Sequence, residues 1–212
     1  MSASLATLLT LADSRLPTGG HVHSGGVEEA VTSGMVRDLA TLRAYLRRRI
    51  RTHGLVTASI AVAVHTGALS FDAADRETDA RTPAPAARQA SRVQGRGLLR
   101  LARRVWPGDR WTALGATPHL AVAAGAVGAV SGLGPEQTAL SVVYTTMTGS
   151  ATAAQRLLAL DPADVAALTF ELSGLCAQTA TEAGKELADL SDPLLDVLAQ
   201  RHAARDRPLF AS

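Results

Sequence analysis

Apolar residues recur at helical spacing along nearly the whole chain. Leu5, Leu8, Leu9 and Ala12 share one face of a first short helix. Val27 to Ser33 resumes the pattern, and Gly34 is placed to end it. Asp38 can cap the next helix, whose apolar stripe is Leu39, Leu42, Leu46 and Ile50 and whose other side holds Arg43, Arg47, Arg48 and Arg51. Gly54 is expected to stop it. Leu55 to His65 is almost wholly apolar, which predicts a buried central helix closed by Gly67. Ser70 caps a short acidic helix through Asp79. Longer helices follow over Ala86 to Val105, Pro118 to Ser131 and Glu136 to Leu160. Asp161-Pro162 and Asp192-Pro193 are both cap-then-proline starts, and Asp161 with Asp164 resembles a capping box. The run Ser141 to Thr146 has β propensity but lies within a helix-spaced segment, and context favours helix. The whole predicts an all-α, single-domain bundle of about nine or ten helices over residues 1–212, with no strand and no repeat of fixed period.

Composition sharpens this picture. Of 212 residues 47% are hydrophobic but only 3% aromatic, so the core must be built from Ala, Leu and Val. Side chains that small suit close helix contacts better than pleated sheets. Basic residues number 21 and acidic 19, a net charge of +2, which is a poor footprint for nucleic-acid binding. The lone cysteine, Cys176, forms no internal disulfide and no cysteine-cluster metal site. The longest apolar run, Leu120 to Val130, is too short to span a bilayer, and the first residues lack the basic start of a signal peptide. The expectation is a soluble, cytoplasmic protein with no membrane or nucleic-acid partner.

Most candidate chemistry fails on spacing. Gly184-Lys185 lacks the upstream glycine and following hydroxyl of a phosphate-binding loop. Gly95-Arg96-Gly97 is a near miss of the dinucleotide fingerprint with no strand before it. His21-Val22-His23 in a glycine-rich loop offers two imidazoles where a zinc site wants three or four ligands, and His53, His65, His119 and His202 are isolated. Ser14 and Ser24 lie near His23 and Asp13 without a nucleophile elbow. No catalytic residue, cofactor-binding residue or metal ligand is assigned.

Two features stand out. Arg88, Arg92, Arg96, Arg100 and Arg104 recur every four residues, with Arg103 beside the last, forming a slanting basic ribbon. Its plain interpretation is a solvated face with acidic neighbours drawn from Asp72, Asp75, Glu77 and Asp79; its functional one is a docking face for an acidic partner. The other feature is the segment from Asp13 to Glu28. It carries four glycines and is longer than an ordinary connection, as functional loops often are.

This segment resembles the signature of the UreF family of urease accessory proteins. The family pattern is D-S-x-L-P-x-G-G-aromatic-x-H-S-x-G-L-E, and Asp13, Ser14, Leu16, Pro17, Gly19, Gly20, His23, Ser24, Gly26 and Glu28 match it. Further blocks agree in order: Gln94 to Leu101, a segment beginning at His119, Ala154 to Leu157, and the end Pro208 to Ser212. The resemblance runs from about residue 5 to the last and has an actinobacterial character. Three departures stand out. His21 takes the aromatic's place, Leu158-Ala159-Leu160 replaces the family's L-G-Q turn, and Pro208 stands where the tail arginine is usual.

The resemblance implies an all-helical, non-catalytic scaffold, commonly a homodimer. It would bind the accessory protein UreD (also called UreH), recruit the GTPase UreG and act on the urease apoprotein through that complex to insert nickel. Within that expectation, residues 207–212 form a mobile tail whose Arg207, Leu209 and Phe210 dock on the UreD-like protein. The UreG-like partner lies across the loop (Asp13, Ser14, His23, Ser24, Glu28) and across Arg96 and Arg100. Two readings of other classes remain open. One is a helical metal-dependent hydrolase using the His21/His23 loop, and the other is a helical transcription regulator, which needs a basic recognition helix near its start.

Overall fold

A computed structural model describes residues 2–13, 15–18, 22–206 and 208–210. Ten α-helices and no strand are present among them. They are α1 (Ser2–Leu11), α2 (Val27–Thr32), α3 (Leu39–Arg49), α4 (Leu55–His65), α5 (Phe71–Ala80), α6 (Pro85–Val105), α7 (Leu120–Val130), α8 (Pro135–Leu158), α9 (Pro162–Ala183) and α10 (Pro193–Ala203). None is long and apolar enough to cross a membrane.

The centre is α4, whose residues Leu55 to Val62 are all buried, as its largely apolar sequence requires. Helices α7, α8 and α9 surround it. They come close because small residues face one another. A Cβ on Gly125 would lie 2.4 Å from the Ala61 carbonyl oxygen, and one on Gly128 would lie 2.2 Å from Thr138 Oγ1. Alanines fill much of the same core, including Ala58, Ala61, Ala123, Ala139 and Ala154. Backbones this near gain many dispersion contacts without large side chains. The near-fingerprint Gly95-Arg96-Gly97 has its explanation here. A Cβ on Gly95 would meet the Pro118 carbonyl at 2.1 Å, and one on Gly97 would meet Thr18 Cα at 3.1 Å. The two glycines let two loops lie directly on α6.

The predicted starts hold. Asp38, Ser70, Asp161 and Asp192 each accept a backbone N–H of the first turn. At Asp161 the bond comes from Ala163, so the expected box with Asp164 does not form. The predicted stop at Gly54 also does not occur. Gly54 has helical φ −60° and ψ −49°, and residues Ile50–Gly54 form a π turn that joins α3 to α4 without a break. The Leu55 N–H reaches back five residues to the Ile50 carbonyl. A glycine C-cap needs a left-handed conformation, and here the backbone bonds from Leu55 back to Ile50 and Thr52 carry the helix on through Gly54. Such π turns are often found at functional sites. The first helix differs in its packing: Leu5 and Leu9 are exposed.

The changed turn after α8 carries local strain. Ala159, at the place of the glycine in the resembled L-G-Q turn, has φ 49° and ψ 41°, the one left-handed non-glycine among the described residues. A left-handed alanine costs roughly 1–2 kcal/mol. Ala159→Gly should therefore stabilise the protein by about 0.5–1.5 kcal/mol in urea denaturation, with an unchanged urea dependence of unfolding. An unchanged or lowered midpoint would show that the turn is not strained.

Candidate functional site

Two glycines turn the signature segment into α2. Gly25 and Gly26 have φ +62° and +85°, and Gly26 caps α2. Both places are crowded. A Cβ on Gly26 would lie 3.1 Å from the Tyr45 hydroxyl and from Leu195, while one on Gly25 would lie 2.5 Å from Arg49 Nη2. Tyr45 donates its hydroxyl to the Gly25 carbonyl at 2.9 Å, fixing the turn onto α3. At the loop's start, Asp13 accepts the Arg15 N–H and ion-pairs with its guanidinium at 2.6 Å. Ser14 and His21 lie outside the described residues, as does Arg207.

The turn delivers Glu28 into the protein, where it is 2% exposed. Its carboxylate accepts from His202 Nε2 on α10 at 2.8 Å, from the Leu209 N–H at 2.8 Å and from the Phe210 N–H at 3.0 Å. One carboxylate therefore ties α2, α10 and the tail together. Next to it Glu29 pairs with Arg205 at 3.2 Å. Phe210 is buried with Arg156 over its ring at 5.3 Å, a cation–π contact, while Leu209 is 78% exposed. Of the two apolar tail residues, the chain engages one and leaves the other to solvent.

The electrostatics follow from this burial. Burial opposes ionisation of Glu28, but the bonds from Leu209, His202 and Phe210 outweigh it and hold its carboxyl below the usual range. Burial lowers the His23 pKa, and the nearby His202 lowers it further. Ser24 is fully buried, and its hydroxyl accepts the Glu28 N–H at 3.3 Å.

The arginine ribbon divides in two. Arg92 pairs with Asp75 at 2.7 Å and with Asp79 at 3.0 Å, and Arg88 lies 3.9 Å from Asp79. Glu77 pairs instead with Arg81. Arg96, Arg100, Arg103 and Arg104 are exposed and have no ion pair among the described residues. The Pro17-Thr18 backbone rests on Gly97, between Arg96 and Arg100, so the loop and the unpaired half of the ribbon are neighbours.

His119 is not isolated. Buried at the start of α7, it bonds Ser91 at 3.0 Å and Asp79 at 2.9 Å, and its N–H donates to Asp75. The ligand atoms of Asp75, Asp79 and His119 lie within 4.8 Å of one another. Arg92 occupies both carboxylates, however, and its positive charge opposes a cation there. The group anchors the chain before α7. Burial lowers the His119 pKa against the pull of Asp79. Sequence spacing missed the role of His202, since it lies in no motif and acts through Glu28, 174 positions away.

Comparison with known proteins follows this geometry. The UreF family model matches residues 36–173. The chain is 78% identical to the urease accessory protein UreF of Mycolicibacterium vanbaalenii, over 99% of this chain and 100% of that one. It is 73% identical to the protein of the same name from Mycobacterium tuberculosis H37Rv, over 99% of each.

The folded pKa of Glu28 lies below its ordinary 4.5, so its contribution is complete above that value and is lost as pH falls through the folded value. Glu28→Gln should cost about 1–3 kcal/mol at neutral pH, and the gap to wild type should close under acid. Urea denaturation of both proteins as a function of pH measures this; a gap independent of pH would contradict it.

Proposed function

Because the chain belongs to the UreF family of urease accessory proteins, we propose that it is an adaptor that binds the UreD-like protein (also called UreH) and recruits the UreG-like GTPase. Through that complex it serves nickel insertion into the urease apoprotein in the cytoplasm, with nickel as cargo. Members of this family are accessory proteins and not enzymes, which sets aside the hydrolase reading of the His21/His23 loop.

The observation that carries the reading is the contiguity of the signature loop with the exposed arginines. Arg96 and Arg100 flank the glycine on which the Pro17-Thr18 backbone rests, and they have no acidic partner among the described residues. Guanidinium groups with no acidic partner among the described residues suit carboxylates of a partner, and we assign this face to the UreG-like GTPase. Asp13, His23, Ser24 and Glu28 act there mainly by holding the loop in shape.

The tail face is assigned to the UreD-like partner. Leu209 offers an exposed apolar side chain, and Phe210 beneath it is already seated. A partner that takes Leu209, with Arg207 assigned to the same contact, meets a tail in which Phe210 is already seated and loses less entropy than with a free tail. A homodimer is supported by α9. Its outer side presents Ala163, Ala166, Ala167, Gly174 and Ala177 around Phe170, which is 80% exposed. Small residues about one aromatic suit a self-complementary contact.

Co-purification resolved by size, with both partners present, separates these faces. Arg96→Glu with Arg100→Glu should weaken capture of the UreG-like GTPase at least tenfold and spare the UreD-like protein. Deleting residues 207–212 should do the reverse. Capture and urease activation that survive both changes would overturn the assignment.

A further inference from the structure

Beneath the signature loop lies a cavity of about 210 Å3. Its wall includes His23, Gly25, Arg49, His53, Thr57 and Ser150. Arg49 is 7% exposed, and its Nε and Nη1 have no hydrogen-bond partner among the described residues. Those two nitrogens carry three N–H donors. Leaving two nitrogens of a buried guanidinium without partners is costly in a folded protein.

The other charged groups of the wall are committed elsewhere. Asp192 accepts from Arg48, from the Leu195 N–H and from Thr52, and these bonds hold its carboxyl low despite burial. Asp196 accepts from the Ala84 N–H, Asp13 pairs with Arg15, and Arg81 donates to Glu77 and to the Ala188 carbonyl. Burial, reinforced by Arg49 itself, lowers the His53 pKa to about 3, so its ring is neutral. Hydroxyls of Thr57 and Ser150 stand on the same wall. The cavity thus borders one positive charge that no carboxylate of the wall neutralises through a bond.

Its location is as specific as its chemistry. Arg49 is the last residue of α3, at the entry to the π turn that supplies His53 and Thr52. Gly25 lies over the guanidinium, where a Cβ would fall 2.9 Å from its Cζ. The signature loop therefore covers the charge, and its two unbonded nitrogens are closed off from solvent.

We propose that this cavity binds one small oxyanion, of the size of sulfate or phosphate, through Arg49 with help from neighbouring hydroxyls. A turn of the guanidinium about its terminal torsions brings the unbonded N–H groups to the ion. The bound ion neutralises Arg49 and stiffens the loop above it. This site is independent of the partner assignments made above.

Titration calorimetry and thermal unfolding of the full chain with sodium sulfate or sodium phosphate, at ionic strength fixed with sodium chloride, test the proposal. Saturable binding near one ion per chain is expected, with a rise in unfolding temperature beyond that in chloride alone. Arg49→Lys keeps the charge but loses the planar donor set, and should weaken binding at least about tenfold. Arg49→Met should abolish it. If the Met variant does not fold, crystals grown in selenate decide together with the Lys variant. An anomalous peak in the cavity beside Arg49 supports the site. Peaks confined to surface arginines, no saturable binding by the wild type, or binding unchanged in Arg49→Lys would overturn it.

Discussion

The buried carboxylate of Glu28 is the interaction on which the working surface depends. It satisfies an imidazole from α10 and two backbone amides from the tail while sitting in the first turn of α2. Hydrogen bonds to an ionised acceptor are the strong ones, and burial makes their loss costly. Remove this acceptor and both α10 and the tail lose their tie to α2, more than 170 positions earlier. Gly25 and Gly26 matter because only their left-handed turn delivers Glu28 to that point, and Tyr45 matters because it holds the turn.

The body behind this surface is rigid for a different reason. Its helices carry few large side chains, so stability comes from close approach. Gly125 and Gly128 let α7 lie against α4 and α8, and Gly95 and Gly97 let two loops lie on α6. The second of these contacts sets the Pro17-Thr18 backbone on α6 at Gly97, one residue after Arg96 and three before Arg100. Where the chain lacks a glycine, at Ala159, the left-handed turn is retained and the backbone carries the strain.

Most of the fold was legible from the chain itself. The helix starts followed from side-chain caps and prolines, and the almost wholly apolar run Leu55 to His65 marked the central helix. Gly54 misled because a glycine signals a stop only where the chain is free to turn, and here the backbone bonds of the π turn run on through it. The site was legible in part. Motif residues Asp13, His23, Ser24 and Glu28 pointed to the loop, and the four-residue spacing of arginines pointed to α6. What spacing could not convey was which charges find partners. Arg92 is satisfied by Asp75 and Asp79 from α5, whereas Arg96 and Arg100 are not. Glu28 is bonded to residues more than 170 positions away. Long-range pairing of this kind leaves no local periodicity.

The most direct measurement is backbone amide exchange at Leu209 and Phe210. With the carboxylate of Glu28 as their acceptor, both amides should exchange slowly in the wild type. In Glu28→Gln they should exchange at least tenfold faster, while amides of α4 keep their protection. Fast exchange at both positions in the wild type, or rates that the substitution leaves untouched, would contradict the role given to this carboxylate.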